Sequence, residues 1–79
     1  MKDVKILGTG CPKCKDLEQK TRSAVAELNL EAQISKVDDI VKIMEYGIMR
    51  TPGLVVDNVV LVSGRVPSVD EIKRLLTNN

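Results

Sequence analysis

The segment GTGCPKC, residues 8–14, joins an apolar run to the start of a helical pattern and is the part of the sequence that is most specific for a fold. Both cysteines of the 79-residue chain lie in this segment, as Cys11 and Cys14. Residues three apart at a helix start lie on one side of the helix, so the two sulfurs come close enough to form and break a disulfide. The same pair could instead bind a soft metal ion. The segment therefore predicts a dithiol site at a strand-to-helix junction.

The residues around this segment predict a strand, a helix and a second strand. The first strand covers residues 3–7, and the helix carries Pro12 in its first turn and ends near Asn29. Apolar and small residues recur along the helix at helical spacing, at Cys14, Leu17, Thr21, Ala24, Val25 and Leu28. The second strand is expected over residues 31–37, and its buried face is supplied by Ala32, Ile34 and Val37. This order favours a parallel pair of strands joined by a right-handed crossover.

The middle of the chain predicts a short helix followed by a hairpin. Asp38-Asp39 can cap the helix and Gly47 can end it, and its apolar residues are Ile40, Val41, Ile43 and Met44. After a break at Thr51-Pro52-Gly53, two β-branched runs flank the turn-prone pair Asp57-Asn58. These runs, residues 54–56 and 59–62, predict a tight antiparallel hairpin that ends at Gly64.

A capping box of Ser68 and Glu71 predicts a last helix that ends near Thr77. The sequence thus predicts an α/β fold in one domain, residues 1–79, with the order β-α-β-α-β-β-α and a four-stranded mixed sheet flanked by three helices. Its core is aliphatic, because the chain lacks Phe and Trp. The single aromatic residue, Tyr46, is expected to pack at the end of the second helix. Three further residues are expected in the core or at its rim: Met44, Ile48 and Met49.

Charge and hydropathy argue against two broad classes of partner. Twelve basic and eleven acidic residues give a formal charge of +1, which does not favour nucleic acid or an anionic membrane. The first seven residues lack the apolar stretch of a secretory signal, and no segment approaches the roughly 20 apolar residues that span a bilayer. We therefore expect a soluble, cytoplasmic protein. In a reducing compartment a lone Cys-x-x-Cys is more often catalytic or metal-binding than a structural staple.

The helix start also predicts how the two cysteines differ in reactivity. At the N-cap, unsatisfied N–H groups and the positive end of the helix dipole favour a thiolate at Cys11. Lys13 and, less directly, Lys15 add positive charge, although lysines at such positions also occur simply on the solvated face of a helix. We expect the pKa of Cys11 to lie below the usual thiol value of about 8.5, and Cys14 to be more buried and less acidic. The absence of His excludes a Cys-His hydrolase mechanism.

The Cys11-Pro12-Lys13-Cys14 motif at a strand-to-helix junction, Thr51-Pro52 before a hairpin, and a final helix together resemble the thioredoxin-like superfamily over nearly the whole chain. Within it, the chain is most similar to the small redox-active disulfide proteins, which are glutaredoxin-sized thioredoxins. The resemblance implies thiol–disulfide oxidoreduction through a reversible Cys11–Cys14 disulfide, without another cofactor. It also implies that Cys11 attacks, that Cys14 resolves, that Pro52 is a cis-proline facing them, and that Thr51 offers backbone for substrate pairing.

The chain differs from the better-known thioredoxins and glutaredoxins at positions that affect which substrates and electron donors it is expected to use. Gly10 stands where thioredoxins commonly have an aromatic residue, and residues 63–67, SGRVP, replace the Gly-Gly and acidic pattern with which glutaredoxins hold glutathione. The resemblance therefore implies protein disulfides as substrates, a flavin-containing reductase as electron donor, and a monomer.

A metal-handling protein is the alternative. Residues 8–14 also resemble the Cys-x-x-Cys loop of heavy-metal-associated domains, which transfer Cu(I) between thiolate pairs, and a metalloid is a related cargo. Those domains have the order β-α-β-β-α-β, so a chain that ends in a helix argues against them. The sequence supports a structural zinc site less well, because two cysteines without histidine fall short of the four ligands that such a site usually has.

Overall fold

The computed structural model describes residues 2–10 and 12–77. Its elements are β1 (Lys2–Leu7), α1 (Pro12–Glu27), β2 (Ala32–Val37), α2 (Ile40–Glu45), β3 (Gly53–Val56), β4 (Val59–Ser63) and α3 (Val69–Thr77). The predicted order β-α-β-α-β-β-α is confirmed. The last described element is a helix, which is the feature that separates this order from that of heavy-metal-associated domains.

The four strands form one mixed sheet in the order β2-β1-β3-β4. β1 pairs in parallel with β2 and antiparallel with β3, and β3 pairs antiparallel with β4. The predicted hairpin turn is confirmed: Asp57 and Asn58 have φ values of 50° and 68°, the left-handed conformation that a tight hairpin needs at both central positions. The register shift between Leu54 and Val55 makes Leu61 an extra residue in β4, a β-bulge.

The central strand β1 divides the core between the two faces of the sheet. Val4 and Ile6 face one cluster, which includes Leu17 of α1 and Ile72 of α3. Leu7 belongs to a second cluster on the other face, with residues of α2 and the segment after it, Ile43 and Ile48, and with Val55 of β3. This alternation follows from the two-residue period of a strand. The sheet is therefore covered by α1 and α3 on one side and by α2 on the other.

The first helix ends at Glu27, two residues before the predicted end near Asn29. Asn29 adopts a left-handed φ of 51°, and its N–H donates to Ala26 O at 3.1 Å, while the N–H of Leu30 donates to Val25 O at 3.1 Å. This pair of bonds is the Schellman motif, in which the residue after the C-cap leaves the helix. Asn29 therefore ends α1 rather than extending it.

The buried face predicted for β2 is only partly confirmed. Ala32, Ile34 and Val37 are all half-buried, because β2 is an edge strand of the sheet. Ala32 and Ile34 pack against the cluster beneath α1 and α3, whereas Val37, an odd number of residues away, packs on the opposite face.

Apolar residues of α2 and the following loop are more exposed than expected. Ile43 and Ile48 are buried, but Met44 is 65% exposed and Met49 is 98% exposed. The prediction that both methionines lie in the core or at its rim is wrong, because a six-residue helix presents one narrow face to the sheet. The Asp39 cap is confirmed: its side chain accepts a hydrogen bond from the N–H of Val41 at 2.9 Å.

Tyr46 is half-buried at the end of α2, as expected. Its hydroxyl accepts a hydrogen bond from Lys5 Nζ at 3.1 Å. This hydrogen bond, together with the nearby Asp3 carboxylate, raises the pKa of Lys5. The Lys5–Tyr46 hydrogen bond connects the end of α2 to the middle of β1.

No helix among residues 2–10 and 12–77 is long and apolar enough to cross a membrane.

The start of α3 is held by a cap and an ion pair. The N–H of Glu71 donates to Ser68 Oγ at 3.2 Å, as the capping pattern predicts. The Glu71 carboxylate accepts hydrogen bonds from both Arg65 guanidinium NH₂ groups. These bonds lower the pKa of Glu71 in the folded protein.

We expect Glu71→Gln to lower the midpoint of thermal unfolding slightly at neutral pH, and the difference from the unsubstituted protein to vanish on acidification. The sign follows from linkage: a carboxyl with a lowered folded-state pKa stabilises the fold above its unfolded pKa, and this contribution is lost as pH falls through the folded pKa. The effect is small because the pair is exposed. Thermal unfolding across a pH series checks this, with the exposed Glu31→Gln as control. A difference that persists at acidic pH would contradict the account.

Candidate active site

Cys14 lies in the first turn of α1, with its side chain turned into the protein. It is 5% exposed and disulfide-bonded. The prediction that Cys14 is buried is confirmed. The chain's other cysteine, Cys11, lies outside the described residues.

Gly8 allows Cys14 to pack directly against the loop that follows β1. A Cβ atom at Gly8 would lie 2.9 Å from Cys14 Cβ and would collide with Cys14 Sγ. The N–H of Gly8 donates to Val37 O at 2.9 Å, which fixes the loop to the edge strand β2. Glycine is therefore required here by a close approach of backbone to sulfur. Gly8 is evident in the sequence, but its contact with Cys14 depends on the tertiary structure and could not be predicted from the sequence.

Thr51 and Pro52 lie at the same end of the sheet as the Cys14 loop. The register pairs Leu7, the last residue of β1, with Gly53, the first residue of β3. The Thr51–Pro52 peptide bond is cis. Pro52 is fully buried, and its carbonyl accepts a hydrogen bond from the N–H of Gly64 at 2.9 Å, whereas Thr51 is exposed. The sheet topology thus brings the Cys14 loop and the Thr51-Pro52 segment to the same end of the sheet.

The remaining sequence-predicted residues lie on the surface of the helix start. Pro12 is the first residue of α1, and Pro12, Lys13 and Lys15 are all exposed. Lys15 also lines a small cavity beside Cys14. The helix start therefore combines a buried sulfur with exposed positive charge at the end of the helix where the dipole is positive.

A cavity of about 40 Å³ lies beside Cys14. Its lining is drawn from the loop, both strands beneath it and α1: Ile6, Gly8, Gly10, Cys14, Lys15, Glu18 and Lys36. Glu18 and Lys36 were not among the predicted site residues. Glu18 follows Cys14 by four residues on a helix, which is a signal that the sequence contains. Lys36 comes from β2, and only the parallel pairing of β1 and β2 brings it here.

An apolar groove of about 310 Å³ adjoins Thr51. Its walls come from α2 and the loop that leads to β3: Ile40, Ile43, Met44, Ile48, Met49 and Thr51. Several of these side chains are largely exposed, so the groove is open to solvent. The sequence did not predict it, because exposure of Met44 and Met49 depends on how short α2 packs.

Among the residues described, no group of three or more His, Cys, Asp or Glu side chains is placed to hold a metal ion.

Comparison with known proteins identifies the family. Residues 2–77 match the thioredoxin domain family. The chain is 44% identical over 73 residues to a thioredoxin of Methanocaldococcus jannaschii, covering 92% of this chain and 84% of the relative. It is 42% identical over 77 residues to a thioredoxin of Methanothermobacter thermautotrophicus, covering 98% and 100%. The chain belongs to the thioredoxin family and is a thiol–disulfide oxidoreductase.

Solved structures with lower sequence identity show the same fold. Thioredoxin-2, a component of the protein secretion machinery of a malaria parasite, superimposes with a TM-score of 0.76 at 12% identity, over 100% of this chain and 84% of that one. The germline-specific thioredoxin Deadhead of Drosophila melanogaster gives a TM-score of 0.67 at 20% identity, over 98% and 79%. The predicted thioredoxin-like fold is therefore confirmed.

We expect Gly8→Ala to destabilise the protein by about 1–3 kcal/mol, because the new methyl group must displace Cys14. Gly53→Ala is the matched comparison, since its new Cβ would first meet Ile48 Cδ1, the mobile end of a side chain, at 2.8 Å. Chemical denaturation of both oxidised variants measures the difference. A smaller loss for Gly8→Ala than for Gly53→Ala would contradict the steric account.

Proposed function

We propose that this protein reduces protein disulfides, with Cys11 as the attacking thiol and Cys14 as the resolving thiol. The Cys11 thiolate attacks one sulfur of the substrate disulfide, which releases one substrate thiolate and forms a mixed disulfide. Cys14 then attacks Cys11, and the second substrate thiolate leaves. Two electrons pass from the protein dithiol to the substrate, and the protein is left with a Cys11–Cys14 disulfide.

The observation that carries this proposal is the placement of Cys14. It is disulfide-bonded and buried against Gly8 in the first turn of α1, so a substrate reaches it less easily than a residue at the helix start. A buried sulfur suits the intramolecular step, whereas the initial attack needs access and a stabilised thiolate. This division supports Cys11 as the nucleophile.

Four neighbouring residues have supporting roles in this proposal. Pro12 starts the helix with a residue that needs no N–H partner, and Lys13 adds positive charge beside the motif. Thr51 is exposed at the end of the sheet where the Cys14 loop lies and would offer its backbone there, and the buried Pro52 would hold that backbone in place. The register of β1 and β3 supports these roles, because it brings both segments to one end.

The groove beside Thr51 supports proteins as the substrate class. Its exposed apolar side chains fit an unfolded or extended segment better than a small charged thiol such as glutathione. We propose that the chain acts as one domain and as a monomer in the cytoplasm, with no cofactor beyond its disulfide. A flavin-containing reductase would return electrons to that disulfide.

Single cysteine variants test the order of attack. We expect Cys11→Ser to lose turnover with a protein disulfide. We expect Cys14→Ser to form mixed disulfides through Cys11 and to retain them, because no resolving thiol remains. Intact-protein mass after exposure to substrate measures both. Equal trapping by the two variants would contradict the assigned order.

Near-isosteric polar substitutions test the groove. We expect Met49→Gln to raise KM for a protein disulfide severalfold, on the order of 1 kcal/mol of lost apolar contact, and to leave reduction of a small aromatic disulfide unchanged. Val59→Thr is the control, since Val59 is also exposed, at 51%, but lies beside the hairpin turn at the other end of the sheet. Equal effects of the two substitutions would argue against docking in the groove.

A further inference from the structure

The cavity beside Cys14 contains a carboxylate that is fixed in place. The Glu18 side chain is 17% exposed. Glu18 Oε2 accepts hydrogen bonds from Arg22 Nε at 3.1 Å and Arg22 Nη2 at 3.0 Å. Glu18 Oε1 lies 3.6 Å from Lys36 Nζ, and Lys36 lines the same cavity. Glu18 is thus held from both sides beside the buried sulfur.

Helix geometry and strand register explain why this carboxylate faces the cavity. Cys14 and Glu18 are four residues apart on α1, so their Cβ atoms are about 5–6 Å apart on one face of the helix. Lys36 pairs with Ile6 across the parallel strands β1 and β2, and Ile6 also lines the cavity. A volume of about 40 Å³ accommodates one water molecule between the sulfur and the carboxylate.

The resolving step needs a proton acceptor at this position. A reduced, protonated Cys14 must lose its proton before it attacks Cys11, and its burial hinders direct transfer to bulk water. The chain has no histidine. The charged residues that line the cavity are Lys15 and Glu18 from α1 and Lys36 from β2, while the loop contributes glycines. Of these groups only the Glu18 carboxylate accepts protons, because an ammonium group has no free lone pair.

We propose that Glu18 is the proton acceptor for Cys14 in the resolving step, an inference that rests on the proposed roles of the two cysteines. The Cys14 proton passes to Glu18, directly or through one water, as Cys14 Sγ forms its bond to Cys11 Sγ. The bond between Cys11 and the substrate sulfur breaks, and the substrate thiolate leaves with the bonding electron pair. The proton then passes from Glu18 to that thiolate or to solvent. Lys36 and Arg22 are positioning residues that hold the carboxylate.

A disulfide reagent that releases a coloured thiolate separates the two steps. With excess 5,5′-dithiobis(2-nitrobenzoate) and fully reduced protein, the first thionitrobenzoate comes from attack by Cys11 and the second from resolution by Cys14. The mixed disulfide is formed at acidic pH, and a jump to neutral pH starts the second phase. Stopped-flow absorbance follows both phases.

We expect Glu18→Gln to leave the first phase unchanged and to slow the second at least about tenfold, toward the roughly hundredfold that a general base contributes. The second-phase rate in this variant should continue to rise with hydroxide where that of the unsubstituted protein levels off. Glu18→Asp should restore part of the rate. In Glu18→Ala, which opens space beside the sulfur, added formate should accelerate the second phase, and chloride at equal ionic strength should not.

The control is Glu27→Gln, which removes a different carboxylate of α1 whose partner, Lys73 Nζ, lies 3.0 Å away on α3. It should leave both phases unchanged. A second phase that is unchanged or faster in Glu18→Gln, with a normal first phase, would overturn the role of Glu18 alone. Absence of a Cys11 mixed disulfide in the unsubstituted protein would overturn the proposed function, and this inference with it.

Discussion

The close approach of the Gly8 backbone to the Cys14 side chain is the constraint on which the site depends. It requires a residue without a Cβ at the end of β1 and a helix that begins within a few residues. Because β1 is a central strand, its end is fixed by pairing on both sides, with Val37 of β2 and Gly53 of β3. The sulfur is therefore placed by the most buried part of the sheet, while the helix start faces outward.

This arrangement separates the demands on the two cysteines. Attack on a substrate requires access and a stabilised thiolate, which a helix N-terminus with nearby lysines provides. The resolving step requires that the Cys14 sulfur lie at a fixed distance from the Cys11 sulfur and that the Cys14 thiol have a group to which it can transfer its proton. The buried side of α1 near its start provides the surroundings that the resolving step needs, because Arg22 and Lys36 hold the Glu18 carboxylate there. The proposed mechanism assigns each step to the side of the helix that suits it.

Much of the fold could be predicted from local sequence patterns. Helix periodicity, the turn at Asp57-Asn58 and the Ser68 cap depend on residues close together in the chain, and the structure confirms them. The end of α1 also lies within two residues of the predicted position near Asn29, because the left-handed φ of Asn29 and the Schellman bonds end the helix there.

Features that depend on tertiary packing could not be predicted in the same way. The exposure of Met44 and Met49 depends on which face of a six-residue helix meets the sheet, and hydrophobic pattern does not fix that face in so short a segment. The four-residue spacing on the first helix places Glu18 on the same face as Cys14, but local sequence does not indicate which other element meets Glu18. Its proximity to Lys36 arises from the parallel crossover between β1 and β2, which joins residues far apart in sequence.

The central claim is that Cys11 and Cys14 form one reversible redox couple. A redox titration of metal-free protein in defined thiol–disulfide buffers, with the thiols alkylated and the protein weighed at each potential, tests it most directly. The account predicts a single two-electron transition between dithiol and intramolecular disulfide, at a potential of roughly −270 to −180 mV. A protein that remains a dithiol, or forms only intermolecular disulfides, at every potential would contradict it.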